Sequence, residues 1–165
     1  MKKYRTEIII ALLCPCCFAL GWTCNEIKYK ARGTATEQRE LTFEDLLDAI
    51  EQEESGGDPT ALCPDGCCVG AFQITKIYID DCNRILKLFG SETRVSYEDR
   101  WNREISRDIT AVVTCYYANR DSLTIEHDRM QFFETAARTH KSPSHRNHES
   151  TKPYWEKVKA RMEKK

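Results

Sequence analysis

Glu54 ends the run Asp48-Ala49-Ile50-Glu51-Gln52-Glu53-Glu54-Ser55-Gly56-Gly57, sixteen residues before Gly70-Ala71-Phe72-Gln73-Ile74, with Tyr78 beyond. A carboxyl placed in this way suits proton donation to a leaving oxygen, the first need of glycosidic-bond cleavage. Phe43, Leu46, Leu47 and Ile50 fall on one helical stripe, and Glu54, four residues past Ile50, continues it. Thr42 with Asp45 reads as a capping pair, and Gly56-Gly57 as a left-handed stop. The carboxyl is therefore expected partly against the core, at the negative end of the helix dipole and near Glu51 and Glu53. A general acid keeps its proton in such surroundings. Glu53 is expected on the solvated side. The same pattern also fits an exposed glutamate on a fraying last turn.

Four further helices are needed to hold that first one. Tyr78, Cys82, Ile85, Leu86 and Phe89 keep helical spacing up to Gly90. Trp101, Ile105, Ile109, Val112 and Tyr116 mark the next helix, and Met130, Phe133 and Ala137 another. Tyr154, Val158 and Met162 mark a short last helix, opened by Pro153. Only 69–74 reads as extended. The expected fold is mainly α (α+β, lysozyme-like): one helical domain over 41–165, with a small extended or turn segment at the cleft. A domain of that length buries a sufficient core.

The residues resemble a family. Glu54-Ser55-Gly56-Gly57, then Cys68-x-Gly70-Ala71-Phe72-Gln73-Ile74-x-x-x-Tyr78-x-Asp80-Asp81-Cys82, is similar to the invertebrate-type (destabilase) lysozymes. The shorter Glu-Ser…Gly-x-x-Gln-Ile core is shared with lytic transglycosylases. Asp108-Ile109 to Cys115 and Ala137-Arg138-x-His140…Pro153-Tyr154-Trp155-x-Lys157-Val158 resemble later segments of the invertebrate type. The resemblance runs over about residues 43–161. It implies a peptidoglycan-cleaving muramidase with Glu54 as general acid and Asp65 as nucleophile or charge stabiliser. For sugar binding it implies Ser55, Gln73, Tyr78, His140, Tyr154 and Trp155, and it implies no cofactor. Asp65 also fits a plain Pro-Asp-Gly turn, and Phe72, Tyr154 and Trp155 fit the core. Asp58, in Gly-Asp-Pro, reads as a loop residue. A lytic transglycosylase-like enzyme using Glu54 alone, and a non-catalytic glycan-binding module, remain the alternatives. Two positions depart from the family: Ile79 where it commonly carries Trp, and Lys141-Ser142-Pro143-Ser144 where it carries Asn-Gly-Gly-Pro.

Residues 1–24 read as a signal peptide or membrane anchor, with Lys2, Lys3 and Arg5 before an apolar stretch from Ile8 to Trp22. Residues 25–40 read as a polar linker. The expected product is a secreted monomer, or one tethered through residues 8–22 with its domain outside the cytoplasm. Nine cysteines in 165 residues then suggest disulfides: Cys63 with Cys67 or Cys68, and Cys82 with Cys115, the connectivity being open. A zinc site joining this cluster to His140, His145 and His148 is disfavoured by the Cys-x-x-x-Cys-Cys spacing, so no metal is expected. Residues 41–137 hold 9 Lys/Arg and 19 Asp/Glu, a balance of −10. Residues 138–165 hold 9 and 3, a balance of +6. The acidic body argues against nucleic acid as a partner, and peptidoglycan or a related amino-sugar glycan is the expected one.

Overall fold

A computed structural model of the chain describes residues 40–122 and 129–164. The expected leader or anchor over 1–24, and all but Glu40 of the linker, lie outside the described residues. Among the described residues no helix is long and apolar enough to cross a membrane.

Among the described residues five α-helices carry the fold: α1 (Phe43–Glu54), α2 (Lys76–Leu88), α3 (Arg103–Ser122), α4 (Arg129–Lys141) and α5 (Lys152–Met162). The capping pair forms as expected. Thr42 Oγ1 accepts the N–H of Asp45 at 3.2 Å, and Asp45 Oδ2 accepts that of Thr42 at 2.9 Å. Pro153 sits in the first turn of α5, where its missing N–H leaves no helical bond unmade. α3 and α4 form the most extensive helix pair, and α5 packs across α1. One core joins all five, with Ile50, Ile79, Ile109, Phe133 and Val158 each contributing from a different helix.

One expectation about an element is corrected. Trp101 does not open the third helix. It ends a 3-10 turn, Tyr97–Trp101, and is 39% exposed, while α3 begins at Arg103. The helical period from Ile105 onward simply extends back one turn too far in the sequence. The segment 69–74, whose residues read as extended within an expected extended or turn segment, takes the turn form. It is a tight reversal in which Val69 bridges both Leu62 and Ile74, with positive φ at Gly70 (79°) and Gln73 (47°). Phe72 and Ile74 within it are fully buried, so the reversal is anchored in the core by its own side chains.

Gly70 is required there for space as well as for backbone angle. A Cβ on it would lie 2.1 Å from the carbonyl oxygen of Arg100, the buried residue whose guanidinium donates to the carbonyls of Tyr97 (2.7 Å) and Ile74 (3.2 Å). Gly90 also has positive φ (72°), but a Cβ there meets nothing within 4 Å. In urea unfolding, Gly90→Ala should therefore cost only about 1–2 kcal/mol, the left-handed penalty alone. Gly70→Ala should cost more than about 3 kcal/mol. Equal losses would mean that the 3-10 turn does not press on Gly70.

Candidate active site around Glu54

Glu54 is the last residue of α1, with its side chain 15% exposed. The next residue ties the helix end to the reversal: the Ser55 hydroxyl donates to the Ala71 carbonyl at 2.7 Å and accepts the Gly57 N–H at 3.1 Å. Gly56 and Gly57 then turn the chain away with φ of 68° and 86°. One carbonyl further on, Phe72 accepts from His140 Nε2 at 3.1 Å. Consecutive carbonyls are thus held from α1 and from α4. The Glu54 Oε1 lies 3.9 Å from the second of these holds, His140 Nε2.

His140 is buried, and that burial lowers its pKa below the ordinary histidine value despite the opposing pull of Glu54 and the bond to Phe72. The neutral ring has one N–H. Because a carbonyl can only accept, the proton belongs on Nε2, and Nδ1 accepts the Tyr78 hydroxyl at 3.3 Å. Tyr154 closes the other side. Its hydroxyl is buried with no partner at bonding geometry, and burial followed by the nearby Glu54 charge drives its pKa well up. Lys141 Nζ lies 5.3 Å above the Tyr154 ring.

The two carboxylates expected to crowd Glu54 are neutralised instead. Glu51 is buried and takes two bonds from the Arg103 guanidinium, one of them 2.9 Å to Oε2. Glu53, expected to be solvated, is only 14% exposed and pairs with Lys157 (3.2 Å) and Arg161 (2.9 Å) of α5. Burial pushes its pKa up, but those two cations outweigh it and hold the group below the usual range.

The other expected site residues divide by exposure. Tyr78, Tyr154 and Trp155 are buried, which makes them packing rather than open faces for a sugar ring. The Gln73 amide stitches the loop, donating to the carbonyls of Gly70 (2.9 Å) and Ala61 (3.2 Å). Asp65 sits on an exposed loop tip. Hydrogen bonds from the Cys63 and Cys67 thiols and the Cys67 N–H hold its carboxyl down at about 2. Asp58 caps its own turn by accepting the Thr60 N–H at 2.8 Å. The five described cysteines are free thiols, so neither expected bridge, Cys63 to Cys67 or Cys68 nor Cys82 to Cys115, is closed. His145 and His148 lie in surface turns beside Ser144 and Ser150, away from the thiols.

Two groups escaped the sequence reading. Tyr97 (41% exposed) and Trp101 lie on the 3-10 turn that presses on Gly70; Lys76 Nζ lies 5.4 Å above the Tyr97 ring and Asp80 accepts its hydroxyl at 2.9 Å, so Trp101 is the more open face of the pair. Arg138, given no role of its own in the sequence, is buried and holds the segment that replaces the glycine loop. It donates to Thr151 Oγ1 (2.9 Å), Glu134 Oε1 (2.6 Å) and the His148 carbonyl (3.0 Å). No helical period marks a buried arginine, so only its spacing from Glu134 was a usable signal. No family model matches the chain, and neither curated proteins nor solved structures return a match.

The lowered pKa of His140 fixes the sign of a pH effect. The unfolded chain binds the imidazole proton below about 6.5 while the folded chain resists it, so stability is full above that value and falls with pH beneath it. The shifted carboxylates Glu53, Asp58, Asp65 and Glu149 act only at lower pH, below the ordinary carboxylate values. Tm should therefore drop between about pH 7.5 and about pH 5, and His140→Gln should flatten that slope while lowering Tm throughout. An unchanged slope in the variant would place the titration elsewhere.

Proposed function

We propose that this chain is a lysozyme-type glycoside hydrolase that cleaves the β-1,4 bonds of peptidoglycan, exported or tethered outside the cytoplasm. The observation that carries the reading is the setting of Glu54. Its carboxyl is mostly buried at a helix end and locked to the reversal through Ser55, with a neutral histidine and a buried tyrosine beside it. The flanking Glu51 and Glu53 are committed to ion pairs, which leaves Glu54 as the carboxylate of this helix end not tied to Lys or Arg by a described ion pair. In this reading Glu54 protonates the departing glycosidic oxygen, and Asp65 attacks or stabilises the oxocarbenium-like centre. Trp101 offers an accessible aromatic face on which a sugar ring stacks, and the buried Tyr78, Tyr154 and Trp155 belong to the supporting core.

A second reading rests on Asp65 itself. Its exposure and its turn hydrogen bonds favour Glu54 acting alone, as in lytic transglycosylases, where an internal hydroxyl replaces the second carboxylate.

Digestion of purified peptidoglycan separates the readings. The wild-type chain should release sugar fragments, and Glu54→Gln should slow release by at least about 100-fold. New reducing muramic-acid ends, lost in Asp65→Asn, identify the two-carboxylate hydrolase. Anhydro-muramic ends that survive Asp65→Asn identify the single-acid route. Glycan binding with no cleavage by either protein would refute both and leave a binding module.

A further inference from the structure

The loop 63–68 brings three thiols and a carboxylate together. Cys63 Sγ lies 3.7 Å from Cys67 Sγ, and Cys67 Sγ lies 3.2 Å from Cys68 Sγ. All three sulfurs fall within 4.8 Å of one another. Asp65 Oδ1 is 2.8 Å from Cys63 Sγ. The chain reverses at Gly66 (φ 71°), whose N–H donates to the Cys63 carbonyl at 2.9 Å. That reversal makes the unusual linear spacing irrelevant, because it folds Cys67 and Cys68 back onto Cys63.

We propose that Cys63, Cys67 and Cys68, with the Asp65 carboxylate as fourth donor, form a site for a thiophilic divalent cation of the zinc type. A tetrahedral zinc with Zn–S bonds of about 2.3 Å separates its sulfurs by about 3.8 Å, close to the spacing already present. Three thiolates and one carboxylate form a soft, anionic donor set that selects zinc or cadmium over magnesium or calcium. The Cys68 N–H points at Cys63 Sγ from 2.8 Å, the kind of backbone bond that orients and stabilises a thiolate ligand. Binding releases the three thiol protons to solvent, and no redox step is involved. A disulfide, in contrast, joins only two sulfurs at about 2.05 Å and leaves the third thiol of this cluster unpaired.

This inference does not depend on the hydrolase reading, but it bears on it. An Asp65 that ligates a cation is withdrawn from sugar chemistry, which leaves Glu54 as the acting carboxylate.

The test uses the full chain, purified under reducing, metal-free conditions and titrated with cadmium chloride. One equivalent should bring up the ultraviolet thiolate-to-cadmium charge-transfer band. Cys67→Ser, at an exposed position, should weaken or abolish it, and Cys115→Ser should leave it intact. Asp65→Asn should keep the band but weaken cadmium affinity by at least about tenfold. Cadmium added to the zinc-loaded chain should displace the zinc and bring up the same band. The proposal is overturned by absence of the band in folded, fully reduced protein, or by a band indifferent to Cys67→Ser. It is equally overturned if protein isolated without reductant carries a disulfide within the cluster and, once reduced, takes up no cadmium.

Discussion

The whole site depends on a single short reversal, 69–74, being gripped by two carbonyls in a row. Ser55 takes the first from the end of α1, and His140 takes the second from α4, eighty-five residues later in the chain. Each bond contributes only about 1 kcal/mol net, but a buried carbonyl left unpaired costs about 1–3 kcal/mol. The geometry therefore holds or fails together. Arg100 adds a third hold through the Ile74 carbonyl, and Gly70 lets its carbonyl come close enough to do so. Because Ser55 follows Glu54 directly, fixing the reversal also fixes the carboxyl.

Electrostatics then singles that carboxyl out. α1 ends with three glutamates within four residues, a costly arrangement if all three stood unpaired. Arg103 at the start of α3 meets Glu51, and Lys157 and Arg161 of α5 meet Glu53. The Glu51 pair matters more, because its carboxylate is buried and loss of Arg103 would leave it to the more distant Arg107, at 3.8 Å. Lys157 is 66% exposed, so its pair contributes little to stability. The acidic body and basic end seen in the composition thus meet where α1 packs against α5. Glu54 is left facing a neutral imidazole and a tyrosine hydroxyl.

Much of the scaffold was legible because it rests on local rules. The Thr42–Asp45 box, the glycine stop after Ser55, the apolar stripes of five helices and the proline at the start of α5 all take the expected form. What escaped rests on contacts distant in sequence. The residues of 69–74 suit a strand as well as a turn, and positive φ at Gln73 and the press of Arg100 decide for the turn. Trp101 keeps the helical period yet lies outside the helix. Glu53 sits on the polar side of its own helix and is covered by another. The segment after His140 lacks glycines, and its replacement, a buried arginine binding Thr151 and the His148 carbonyl, leaves no mark in periodicity. Aromatic residues were the hardest to read, since type alone does not tell a buried Trp155 from an exposed Trp101.

The most direct measurement is a crystal structure of the Glu54→Gln chain with a tetrasaccharide of peptidoglycan amino sugars. The expected result is a glycan lying against the 69–74 reversal, with the amide of residue 54 about 3 Å from one glycosidic oxygen. A glycan bound on another face, or one whose glycosidic oxygens never approach residue 54, would contradict the assignment of Glu54 as the proton donor.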